Sequence, residues 1–221
     1  PFTAVVANAE GGRTETTVYF LRDTIPPVLT VTSPSDGFFT NTPTITIQGT
    51  VDDPEAMVRV GWYGPWIPVV NGAFTTTFTL QYQGSNYVSI SARDLAGNYS
   101  FVSRRVILDT QPPQINVSQP TEGKAVNSPT LYVFGSIVDQ NINEVTVSVN
   151  NGQPQLLTLS GNNFSGTVTL SLGSNTLSFH ATDKAGNTGS LTRSVLLDLE
   201  LPTVTITAPQ IGTVISGVVT V

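Results

Sequence analysis

Residues 92–113 read ARDLAGNYSFVSRRVILDTQPP: a turn at Ala96-Gly97-Asn98, an alternating apolar run, then an aspartate followed by paired prolines. Close copies stand ahead of it at residues 7–27 (ANAEGGRTETTVYFLRDTIPP) and behind it at residues 181–202 (ATDKAGNTGSLTRSVLLDLELP). The linker aspartates of the three copies, Asp23, Asp109 and Asp198, fall 86 and 89 residues apart. Solenoid repeats are far shorter, roughly 20 to 50 residues. Each unit is therefore a whole domain, and the chain reads as a tandem array.

Between the copies, turn signals recur every roughly 8 to 12 residues around segments of period-2 alternation, with no helical periodicity, which predicts about seven strands per unit and a β-sandwich. Residues 23–108 and 109–197 form two complete units. Residues 1–22, two strands around Glu10-Gly11-Gly12 with Val5, Ala7, Val18 and Phe20 as apolar positions, match the last two strands of a preceding unit. Residues 198–221 match the first two strands of a following one. A cut from a longer array explains both ends.

Internal comparison sets the faces. Leu29 and Val31 correspond to Ile115 and Val117, and to Val204 and Ile206, so these point inward, as alternate residues of a strand do. The second strand carries Ile45, Ile47, Gly49 and Val51 in one unit and Leu131, Val133, Gly135 and Ile137 in the next. The turn Gly84-Ser85-Asn86 recurs as Gly173-Ser174-Asn175.

Charged residues make up 11% of the chain, against a usual ~25%, and Thr, Ser, Asn and Gly carry the polar surface, as in secreted bacterial β-proteins. With no cysteine, disulfide staples are excluded and the joints need another means of stiffening. A net charge of −6 offers no basic face for phosphate, which argues against nucleic acid as a partner and fits cations better. No apolar run approaches the length of a membrane span, and no basic-then-apolar leader opens the chain.

The D-T-x-P-P linkers, the G-T-V-D and G-S-I-V-D strand ends, the G-S-N turns and the A-x-D-x-A-G-N hairpins together resemble bacterial immunoglobulin-like repeats over essentially the whole chain. The resemblance implies tandem immunoglobulin-like β-sandwiches standing end to end, an extracellular or bacterial cell-surface location, and neighbouring repeats as the first partners. Members of that family stand in large adhesins, in other surface proteins and as accessory modules of secreted glycosidases. In some adhesin members, calcium held by linker and hairpin aspartates closes the joints.

Face parity tests that implication residue by residue. Asp53 and Asp139 continue the inward set of the second strand, and Asp94 and Asp183 continue the inward set of the penultimate strand. In an immunoglobulin-like sandwich both strands end at the pole where the N-terminal linker enters. Asp23, Asp53 and Asp94 are expected to converge, as are Asp109, Asp139 and Asp183, with Asn98 and Asn187 completing oxygen shells suited to calcium. The alternative is that each aspartate caps its own turn. Ala9 and Arg13 occupy the places of Asp94 and Asn98 in the first partial unit, which should lack such a site.

Both tryptophans of the chain fall in one hairpin, as Trp62, Tyr63 and Trp66. On a rigid loop these rings suit a sugar or a protein partner; the alternative is that they cover the sandwich or pack on a neighbouring unit. His180, the sole histidine, stands at an outward position. No Ser/His/Asp set, phosphate loop or catalytic carboxylate pair can be assembled, so the expected role is a non-catalytic stalk or spacer, with an adhesive module or an accessory region of a glycosidase as alternatives.

Overall fold

The computed structural model describes residues 2–19, 22–205 and 212, and all regular structure in them is strand. The first hairpin consists of β1 (Phe2–Ala7) and β2 (Arg13–Val18), paired antiparallel from Phe2↔Val18 to Ala7↔Arg13 around a turn in which Asn8 Oδ1 accepts the Gly12 N–H at 2.7 Å. The expectations for Phe20 and Ile206, and for the two strands of a following unit, fall wholly or largely outside the described residues. Where residues 198–205 are described they form no strand.

The chain divides into two compact units, residues 1–111 with 184–187 and residues 112–183 with 188–221. The first contains β3 (Leu29–Ser33), β4 (Phe38–Thr40), β5 (Thr44–Val51), β6 (Met57–Val60), β7 (Trp66–Pro68), β8 (Ala73–Thr79), β9 (Gly84–Arg93) and β10 (Tyr99–Leu108). One sheet runs β3-β5-β8, the other β4-β10-β9-β6-β7. The second contains β11 (Gln114–Gln119), β12 (Lys124–Val126), β13 (Thr130–Val138), β14 (Ile142–Val149), β15 (Gln155–Leu156), β16 (Thr158–Ser160), β17 (Asn163–Thr169), β18 (Gly173–Asp183) and β19 (Thr188–Leu197). Its sheets run β11-β13-β17-β16 and β12-β19-β18-β14-β15. Each unit is thus a sandwich of two sheets closed over its own core.

Between the first strand and the one at Thr44 lies a short strand that the sequence analysis does not foresee. Past Val31 the ladder to β5 slips, Pro34 brings no N–H to a ladder, and the chain crosses to the other sheet, where β4 pairs parallel with β10. The second unit repeats the switch at Pro120, with β12 parallel to β19. Both X-Pro bonds are cis. Counting such short segments, the units have eight and nine strands rather than seven.

In the two units the inward faces fall where alternation places them, whereas Val204, expected inward by the same comparison, is exposed because residues 201–205 form no strand. Burial along β5 alternates without a break, and Ile45, Ile47 and Val51 join Val58, Val88, Ile90 and Val106 in the first core. Val133, Ile137, Val145, Phe164, Leu177 and Phe179 fill the second. Gly49 and Gly135 sit in these inward rows because a ring lies over each: a Cβ at Gly49 would stand 2.6 Å from the Phe74 ring, and one at Gly135 would stand 2.6 Å from that of Phe164. Shape thus selects glycine here, since cores are close-packed.

Two buried asparagines lock the turns before the penultimate strands. Asn175 Oδ1 accepts the Ser171 N–H at 2.8 Å while its Nδ2 donates to the carbonyls of Ser171 and Gly173 at 2.7 and 2.9 Å. Asn86 makes the same set around Gln81, Tyr82 and Gly84. A side chain that satisfies three or four backbone groups replaces the ladder that the bend interrupts.

Candidate functional site

Asp94 and Asp183 continue the core face to its end and are 6% and 2% exposed, far more buried than the carboxylates of ordinary turns. In the first unit the charge of Asp94 is met by its own hairpin turn, Asn98 above all. Asn98 donates its backbone N–H to Oδ1 at 2.8 Å and its side-chain amide to Oδ2 at 2.7 Å. Burial pushes the carboxyl pKa up, but these bonds, with the N–H groups of Gly97 and Ala96, outweigh it and hold the pKa below its usual value. Asn98 Nδ2 also lies 3.4 Å from the Asp23 carbonyl oxygen, so linker and hairpin meet through that amide. The counterpart amide, Asn187 Nδ2, donates to the Asp109 carbonyl at 2.7 Å.

The other aspartates work first on their own turns. One oxygen of Asp23, Asp53, Asp109, Asp139 and Asp198 accepts the N–H two residues on, at 2.6 to 3.1 Å. The capping alternative therefore describes one oxygen of each. It does not describe all their surroundings. Asp139 and Asp183, both in the second unit, bring a carboxylate oxygen each within 4.8 Å of the other. Among the described residues Asp23, Asp53 and Asp94 gather into no group of three. Asp52, which sequence reading passes over, accepts the Val28 N–H at 2.7 Å and so ties the residues after the linker to the end of β5. The equivalent position in the second unit is Val138.

Carboxylate oxygens are the ligand type a hard cation takes, calcium accepting six to eight oxygens at about 2.3–2.6 Å. The side-chain carbonyl of Asn187 is an oxygen donor of the same kind.

The aromatic hairpin is rearranged relative to expectation. Trp62 and Tyr63 are exposed, but Trp66 turns onto the sheet, with the guanidinium groups of Arg59 and Arg93 each 4.7 Å from its ring centre and Tyr99 at 6.1 Å. The three rings form no shared face. Trp62 instead closes one side of a groove on the outer surface of β9 and β10, beside Tyr87, Tyr99 and Phe101. Those three were invisible as a group in sequence, since they lie on two strands and meet only through the register that sets Phe101 opposite Ser91 and Tyr99 opposite Arg93.

The family model for glucodextranase domain B matches the chain twice in tandem, over residues 27–110 and 113–199. The chain belongs to the glucodextranase domain B family. As two consecutive domain B units it bears out the expectation of tandem immunoglobulin-like repeats. Over 174 residues it is 28% identical to bacillopeptidase F of Bacillus subtilis (strain 168), covering 76% of this chain and 12% of that protein. The chain thus spans about an eighth of that relative. Among solved structures, the fibronectin(III)-like modules of Clostridium thermocellum CbhA align with a TM-score of 0.53 at 17% identity, over 81% of this chain and all of theirs. At that identity the likeness is one of fold. No helix among the described residues is long and apolar enough to cross a membrane.

Proposed function

We propose that the two domain B units are a non-catalytic structural spacer of a bacterial surface or secreted protein, reinforced by calcium bound through Asp109, Asp139 and Asp183 with Asn187. The observation that carries this reading is the repetition of a complete domain, each copy closed over its own core, with the most buried carboxylates placed at the ends of core strands. A scaffold needs that plan, whereas an enzyme needs a cleft with convergent acid, base or nucleophile.

Calorimetry tests the calcium part. Extracellular modules bind calcium at about 10⁻⁴ to 10⁻³ M, so 1 mM calcium should add from a few tenths to about 1.5 kcal/mol to the stability of the unit that holds it. Chelation should lower that unit's melting temperature, and Asp183→Asn should remove the response. Unchanged melting with and without calcium would leave the aspartates as turn caps.

The names of the family and of its peptidase relative favour a second reading, in which the units are an accessory region of a larger secreted enzyme. In that case, excising residues 113–199 from the full-length protein should leave turnover of a small soluble substrate intact while changing activity on its bulk polymer.

A further inference from the structure

We propose that the outer face of β9 and β10 in the first unit binds a neutral glycan chain. The groove there has a volume of about 420 Å³, within the usual range of roughly 300 to 1,000 Å³ for ligand sites. Its walls are rings: Trp62, Tyr87 and Phe101 are 77%, 74% and 78% exposed. Between them lie the hydroxyls of Ser89, Ser91 and Ser103.

The second unit shows that the fold does not ask for these rings. Sheet register places Thr176, Thr188 and Ser190 where the first unit has Tyr87, Tyr99 and Phe101, while Ser178 and Thr192 keep the hydroxyls of Ser89 and Ser103. Two copies of one sandwich thus share a hydroxyl face, and only one adds exposed aromatics to it. Large apolar side chains held in water without a packing role mark a surface that is covered by something else.

The lining chooses the occupant. Arg105 stands opposite Tyr87 and Arg93 opposite Tyr99 on the same face of the two strands, but the groove lining itself is rings and hydroxyls without a charged residue, so a neutral ligand that stacks and hydrogen-bonds matches it. Half of the eight lining residues are rings and half are serines, so the groove alternates stacking faces with hydroxyl donors and acceptors. A pyranose presents C–H faces to rings and hydroxyls to hydroxyls. Rings flanking a hydroxyl strip suit a chain of such sugars.

The test uses the 221-residue protein with cellohexaose, xylohexaose and maltohexaose as probes, followed by tryptophan emission and titration calorimetry. At least one should bind saturably in the millimolar range or tighter and alter the emission. The double variant Tyr87→Thr/Phe101→Ser, which installs residues the second unit already carries, should weaken that binding about tenfold or more while keeping its melting temperature. Failure of all three probes to bind, equal binding by the variant, or equal binding of a charged hexagalacturonate would overturn the proposal. So would a wild-type dimer that the same variant converts to monomer, which would make the face an interface between copies.

Discussion

Asn175 and Asp94 show what single side chains contribute here. Asn175 is 2% exposed and serves three backbone groups of its own turn, so Asn175→Ala deletes those bonds together and strands polar groups beside the core. We expect a loss of about 2–3 kcal/mol in the second unit's denaturant transition. Asp94 is expected to act through pH. Its folded-state pKa is depressed below the ordinary 3.8, so the stability it contributes is fully present above that value and is lost as pH falls through the lower folded value. Acid titration of the first unit should show that loss below about pH 4, and Asp94→Asn should flatten it. Parity along the strands made Asp94 and Asp183 legible as core-face carboxylates. The roles of Asn175 and Asn86 were not legible, because an asparagine in a Gly-Ser-Asn turn reads the same whether it points to water or fills the bend.

At the scale of elements, alternation made β5 and β13 readable almost residue by residue, since one buried face imposes a strict period of two. The three-residue β4 and β12 escaped because a segment that short shows no period at all. Pro34 and Pro120 mark the change of sheet. The β6–β7 hairpin was half legible. Its aromatics stood out, but their division into an exposed Trp62 and a Trp66 stacked between two arginines depends on Arg59 and Arg93, which come from two different strands. Trp66→Ser should therefore destabilise the first unit by about 1–2 kcal/mol through lost cation–π contacts, whereas Trp62→Ser should leave its melting temperature nearly unchanged. Thermal melts of the two variants, side by side, check the difference.

For the molecule as a whole, the linker motif and its spacing were enough to read a chain of repeated domains, because a pattern recurring at intervals near 90 residues can only be a domain. That Asp139 and Asp183 draw together was beyond sequence, since Asp53 and Asp94 match them position for position. The parallel pairing of β4 with β10, and of β12 with β19, has a mechanical consequence. The linker that enters the unit leads through β3 into β4, and β10 leads out of it, so once β3 is drawn off β5 a pull on the chain drags β4 and β10 in opposite directions along their common axis. The bonds from Gly37 N to Arg105 O and from Asp109 N to Thr40 O bracket that contact, as Gly123 N to Ser194 O and Asp198 N to Val126 O do in the second unit. Loaded in shear, such a clasp yields all at once rather than unzipping bond by bond. Single-molecule pulling from the two ends should give one abrupt rupture per unit, and Ala125→Pro, in the middle of β12, should lower the rupture force of the second unit while leaving that of the first as it was.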